Sequence, residues 1–112
     1  MVKTYDPATQ RGHDLRAEDI EPGTCRMGYI NGKAVAIYNV DGEFYATQTN
    51  CTHMGGPLCE GSLWAHIVTC PWHGSQFDVR DGKVVTDPAK EPLQTYPVRV
   101  VDGVLVVGGL ED

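Results

Sequence analysis

With 112 residues, the chain has room for one domain with a modest core and none for a separate catalytic domain beside it. Its formal net charge of −6, with no basic cluster, argues against nucleic acid, because phosphate binding requires a basic footprint. The apolar fraction of 41% is ordinary for a globular protein, and no apolar run approaches the roughly 18 residues of a membrane span.

Residues 1–17 are polar, carry no strand pattern and read as an N-terminal extension, which leaves 18–112 as the domain proper. They also lack the apolar stretch of a signal peptide, so a cytoplasmic location is expected. His13 falls in this extension and is not expected to meet a metal. Glu21-Pro22-Gly23 reads as the turn into a first strand. Strands are then predicted over about 25–30, 33–40, 43–48, 67–69, 76–79, 83–86, 96–101 and 104–108. Asn31-Gly32, Asp41-Gly42, Asp81-Gly82 and Asp102-Gly103 separate these runs, and such dipeptides tolerate the positive φ of tight primed turns. Apolar residues alternate through Val35 and Ile37 (imperfectly at Val40), through Phe44 and Ala46, and through Tyr96, Val98 and Val100. No sustained 3.6-residue period occurs, so the fold class is all-β.

Two segments rich in glycine and proline, about 50–62 and 70–78, interrupt the strands and carry the chemistry. The first contains Cys51-Thr-His53 and the second Cys70-Pro-Trp-His73. Together they offer two thiolates and two imidazoles. A zinc ion can take that set, but zinc fingers usually leave about two to four residues between paired ligands, and Cys-x-His leaves one. A binuclear iron–sulfur cluster relieves the constraint, because each segment can send its cysteine to one iron and its histidine to the other. That is the ligand arrangement of a Rieske 2Fe–2S centre, whose potentials span about −150 to +300 mV. Neutral imidazoles leave their iron less negative, so an added electron is expected to settle there. The free edges of His53 and His73 would then give the shortest route to a partner, and their N–H groups would couple reduction to protonation at high pH.

Both segments also carry a family signature. CTHMGGPL (51–58) and CPWHGSQFD (70–78) resemble the two boxes of Rieske proteins, and the similarity runs from about residue 18 to 109, including VAIYNVDGEFYAT before the first box. Within that family the chain is most similar to the small soluble ferredoxins of bacterial ring-hydroxylating oxygenase systems. The resemblance implies a β-sandwich base of antiparallel sheets with a small cluster-binding subdomain carrying both loops at one tip. It also implies one 2Fe–2S cluster per chain and no catalysis of its own. The implied partners are an NAD(P)H-dependent flavoprotein reductase and a terminal oxygenase, with no membrane and no nucleic acid. An acidic surface would steer the chain toward a basic docking patch.

Departures from the wider family sharpen this. Respiratory Rieske proteins carry a further cysteine in each box, joined as a disulfide; here those positions are Gly56 and Trp72. Where they have a tyrosine that donates to cluster sulfur, this chain has Phe77, although Ser75 keeps the serine position of the second box. One donor fewer predicts a potential toward the low end of the class, since hydrogen bonds to sulfur tune it.

Other residues get plainer readings. Met54, Pro71 and Trp72 are expected to form an apolar collar and docking surface around the ligands. Gly55, Gly56, Gly61 and Gly74 serve backbone geometry, with backbone amides as further donors to the cluster. His66 is expected to be solvent-exposed, and Asp78 to make a structural hydrogen bond. Cys25 and Cys59 read as small buried hydrophobes outside any disulfide, because no secretion signal is visible. No Ser-His-Asp or paired-carboxylate arrangement stands out. Three other readings stay open: the small Rieske subunit of an assimilatory nitrite reductase, the Rieske domain of an oxygenase (disfavoured by length), and a structural zinc module.

Overall fold

A computed structural model describes residues 16–30, 33–52, 55–72, 74–87 and 89–108. In chain order the strands are β1 (Thr24–Ile30), β2 (Lys33–Val40), β3 (Glu43–Thr47), β4 (Ser62–Trp64), β5 (Ile67–Thr69), β6 (Gln76–Asp78), β7 (Val84–Thr86), β8 (Thr95–Tyr96), β9 (Val98–Val101) and β10 (Val104–Val107). Two short 3-10 turns, Ala17–Asp19 and Leu58–Glu60, complete the described elements. All strand pairs are antiparallel, in a base sheet β1-β2-β3-β8, a second sheet β4-β5-β6-β7 and a ribbon β9-β10. The all-β expectation and the small loop-bearing subdomain on a sandwich base are both met. No helix among the described residues is long and apolar enough to cross a membrane.

The base sheet organises the molecule because β2 is buried on both faces. Side chains alternate along a strand, and here each parity has its own core. Val35 and Ile37 pack with Ile20, Ala46, Leu105 and Val107, which joins the base sheet to the ribbon. Ala36, Tyr38 and Val40 pack with Leu58, Val68, Phe77 and Leu93, which joins it to the second sheet. The imperfect alternation at Val40 is thereby explained: it belongs to the opposite face from Val35 and Ile37. A strand covered on both sides reads as a continuous apolar run. Its polar members are satisfied. Thr47 Oγ1 donates to the Gln48 carbonyl, so the Tyr38 hydroxyl, 2.8 Å away, donates to Thr47. Asn39 donates to the Ile20 carbonyl at 2.6 Å and accepts the Gly42 N–H at 2.7 Å.

Two hairpins follow their dipeptides. Asp41 and Gly42 take φ of 52° and 91°, and Asp102 and Gly103 take 52° and 80°, the doubly positive backbone of a primed turn. Asn31-Gly32 lies outside the described residues, as do residues 1–15 of the extension, His13 included. Arg16 already belongs to the fold, bridging Val104, and the Ala17 N–H donates to the Gly103 carbonyl at 2.8 Å. Asp81-Gly82 sits in a longer connection between β6 and β7, where Leu93 donates to the Gly82 carbonyl at 2.8 Å.

Several expectations are corrected. The single strand over 96–101 is two, because Pro97 has no N–H for a ladder and the chain changes partner there, from β3 to β10. β4 had no sequence signal, being three residues formed only through pairing with β5. His66 is half-buried rather than exposed, with its ring edge-on to Tyr45 at a centroid distance of 5.6 Å. Cys25 and Cys59 are half-buried and joined in a disulfide, with Cα atoms 5.0 Å apart. They are 34 residues apart in sequence, and the edge of β1 meets the Leu58–Glu60 turn only through the tertiary fold. Asp78 is structural, as expected: it accepts from the Arg80 guanidinium at 2.8 Å, which holds its carboxyl below the usual range.

Truncating the centre of the base sheet tests this architecture. Ile37→Ala removes a fully buried side chain that closes the ribbon side, and is expected to cost about 3 kcal/mol in urea unfolding of the holoprotein.

Candidate metal centre

The two glycine-rich loops have the same local construction. In the first, the Cys51 N–H donates to the Gly56 carbonyl at 2.8 Å; in the second, the Cys70 N–H donates to the Ser75 carbonyl at 2.8 Å. Both bonds close a loop on the residue five positions on. Gly55 and Gly74, four positions after each cysteine, adopt φ of 81° and 78°. A side chain there would be strained, and the turn brings the loop back onto its own cysteine. Asn50 fastens the first loop further, donating its side-chain amide to the Gly55 carbonyl at 2.8 Å.

The two loops place their cysteines side by side. Cys51 and Cys70 are 3% and 2% exposed, belong to one buried cluster with Leu58, Val68 and Phe77, and are not disulfide-bonded. Their side chains are within hydrogen-bond reach of each other, and the Trp72 N–H donates to Cys70 Sγ at 3.4 Å. Burial pushes the Cys70 thiol up; the Trp72 amide pulls it back in part, and Cys51 adds to the rise. Two adjacent buried thiols, one of which receives a backbone amide, suit a soft metal, which would hold both as thiolates.

The remaining residues fill the walls. Gly56 is buried against the second loop: a Cβ there would stand 2.6 Å from Cys70 Sγ and 3.0 Å from the Trp72 ring. Gly56 and Trp72 therefore face one another, as the two positions of an inter-loop disulfide would, with an indole filling the place. Ser75 is fully buried; its Oγ accepts the Ala89 N–H at 3.0 Å, and its own proton has no acceptor among the described residues. Phe77 is fully buried in the same cluster as the cysteines and has no donor to offer. Pro71 is exposed and Trp72 is 48% exposed, so the collar is open to solvent on that side. His53, Met54 and His73 lie outside the described residues. The structure thus brings together Cys51, Cys70, Gly55, Pro71, Trp72, Ser75 and Phe77, and is silent on those three.

One wall was not anticipated. The connection between β7 and β8 lies along both loops: Ala89 supplies the amide to Ser75, and the Glu91 carbonyl accepts the Thr52 hydroxyl at 2.6 Å. Ala89 and Leu93 of that connection are buried in the cysteine cluster. Only the apolar Leu93, between Pro92 and Gln94, hints at it in the sequence.

The contact at Gly56 has a direct test. Gly56→Ala drives a methyl into Cys70 Sγ and the indole, and overpacking of this kind costs about 1–3 kcal/mol. The purified variant is expected to hold markedly less iron and acid-labile sulfide per chain, by metal and sulfide analysis, while its far-ultraviolet circular dichroism stays β-rich.

Comparison with known proteins agrees with this geometry. The family model of the Rieske [2Fe-2S] domain matches residues 11–97. The biphenyl dioxygenase ferredoxin subunit of Pseudomonas sp. (strain KKS102) is 44% identical over 84 residues, covering 74% of this chain and 77% of that protein. The ferredoxin component of the p-cumate 2,3-dioxygenase system of Pseudomonas putida is 40% identical over 108 residues, covering 96% and 92%. Among solved structures, a chain in the complex of reduced oxygenase and oxidised ferredoxin of carbazole 1,9a-dioxygenase superposes with a TM-score of 0.79 at 35% identity, covering 85% of this chain and 99% of that one. The chain belongs to the Rieske [2Fe-2S] domain family, and a 2Fe–2S cluster is its cofactor.

Proposed function

We propose that this chain is a one-electron carrier that takes electrons from an NAD(P)H-dependent flavoprotein reductase and delivers them to a terminal ring-hydroxylating oxygenase. We take 18–112 as the body of its domain, with Arg16 and Ala17 already bound to it, and place the protein in the cytoplasm. The observation that carries the proposal is the pair of buried, adjacent cysteines at the start of twin loops. The names of the relatives favour the oxygenase setting over a nitrite reductase subunit: two are ferredoxin components of dioxygenase systems, and a solved complex pairs such a ferredoxin with its oxygenase.

In this reading Cys51 and Cys70 would hold one iron, and His53 and His73 the other. When bound, the cluster supplies a single reversible electron at a potential raised by its imidazole ligands. The protein's own part is to exclude water from the sulfur side, through Leu58, Val68 and Phe77, and to leave one side open. There the exposed Gly55, Pro71 and Trp72 offer a surface to a partner, and the proposal adds Met54 and the free edges of His53 and His73 to it. A carrier needs this asymmetry, since transfer falls off with distance and the electron must leave through a thin wall.

Of the two residues beside the cysteines, Ser75 can raise the potential and Phe77 cannot. The Ser75 hydroxyl accepts from Ala89, and its proton would be available to a cluster sulfur, where it would stabilise the more negative reduced state. Phe77 offers nothing comparable.

Two measurements test this. Cys51→Ser, Cys70→Ser, His53→Ala and His73→Ala are each expected to abolish the EPR signal of mixed nitrogen and sulfur ligation in dithionite-reduced protein, while wild type holds two irons and two sulfides per chain. A zinc-containing, EPR-silent wild type would sink the proposal. In redox titration, Ser75→Ala should lower the midpoint by about 60 mV and Phe77→Tyr should raise it similarly. The figure corresponds to one hydrogen bond of about 1.4 kcal/mol on a one-electron couple.

A further inference from the structure

We propose that Cys25 and Cys59 form a second redox site on this chain: a disulfide that exchanges with a dithiol reductant and, when closed, clamps the first metal-binding loop to the edge of the base sheet. The inference rests on the cytoplasmic part of the reading above, because disulfides in a reducing compartment are characteristically ones that are made and broken.

Position carries the argument. Cys25 lies on β1, the outer strand of the base sheet, and Cys59 lies in the 3-10 turn that follows the first loop. That turn is tied to its own loop: Leu58 donates to the Thr49 carbonyl at 3.0 Å, Glu60 to Pro57 at 3.1 Å and Gly61 to Leu58 at 3.0 Å. Among the described residues no hydrogen bond or ion pair joins the turn to β1. The disulfide is therefore the polar and covalent tie across this seam, and the loop behind it begins with Cys51.

The seam is also open. Two crevices of about 380 Å³ each open at the seam, one lined by Cys25 and Cys59 with Gly23, Leu63 and Val68, the other by Cys59 with Met27, Tyr29 and Pro57. Cys59 lines both crevices and Cys25 the first, so we take Cys59 as the sulfur that a reductant attacks. A structural disulfide is usually protected by packing; this pair is only half-buried and borders open crevices.

The exchange balances as follows. One thiolate of the dithiol attacks Cys59 Sγ, the Cys25–Cys59 bond breaks, and Cys25 leaves as a thiolate that takes up a proton. The second thiol of the reductant, deprotonated, then attacks its own sulfur in the mixed disulfide and releases Cys59, which is protonated in turn. Two electrons pass to the cysteine pair and the reductant ends as a disulfide.

The test uses holoprotein incubated anaerobically with excess dithiothreitol or with oxidised dithiothreitol, followed by thiol alkylation and peptide mass spectrometry. Labelling is expected at Cys25 and Cys59 only after reduction, to disappear on reoxidation, with Cys51 and Cys70 protected throughout by the cluster. Amide exchange over residues 56–61 is expected to rise about tenfold on reduction as the clamp opens. The Cys25→Ser/Cys59→Ser variant should show the fast rate in both buffers at unchanged iron content. Three results would overturn the proposal: a pair that resists reduction, a pair already alkylated in protein purified in air, or reversible labelling with no change in exchange. Loss of the electron-carrier reading would instead appear as a missing reduced-state EPR signal, which these mass measurements do not use.

Discussion

The architecture turns on a sheet that is dry on both faces. β2 presents Val35 and Ile37 to the ribbon and Ala36, Tyr38 and Val40 to the second sheet, and every residue from 35 to 40 is buried. Apolar burial is the main favourable term in folding, and a chain of this size has little surface with which to provide it. Sharing one strand between two cores lets a thin molecule build both. The second core is the floor of the metal centre, since Cys51 and Cys70 sit in it beside Tyr38 and Val40.

On that floor the loops solve a harder problem, which is to bring irregular backbone into a buried place without orphaning its polar groups. Each solves it alike, by returning the cysteine's own N–H to a carbonyl five residues on across a glycine with positive φ. The matched geometry sets the two thiols side by side although their spacings to histidine differ by one residue. Specificity between the loops comes from packing: Gly56 gives way to the Trp72 indole, a contact that tolerates no added carbon. The exposed half of that indole, with Pro71, makes the same feature that closes the site part of its outer surface.

The seam between β1 and the Leu58–Glu60 turn is built on a different principle. Where the loops are tied by many hydrogen bonds, the seam has a disulfide and two crevices. Rigidity is concentrated at the thiols and the covalent tie at the edge, so opening that tie would loosen the loop's attachment before disturbing its internal turns.

Much of this was legible in the residues. The strands from β1 to β3 and β10, the Asp41-Gly42 and Asp102-Gly103 turns, and the two ligand segments all follow from local chemistry: β-branched and aromatic runs, dipeptides suited to positive φ, and thiols and imidazoles at short spacing. Those signals act over a few residues, so a sequence displays them directly. The tertiary structure decided what depends on distant approach. It split 96–101 at Pro97 by giving each half a different partner, created β4 through pairing with β5, and laid Ala89 and Glu91 against the loops. It also joined Cys25 to Cys59 across 34 residues. No local pattern encodes such a pairing, because it arises only when two cores fold on opposite faces of one sheet and carry the edge of that sheet to the loop.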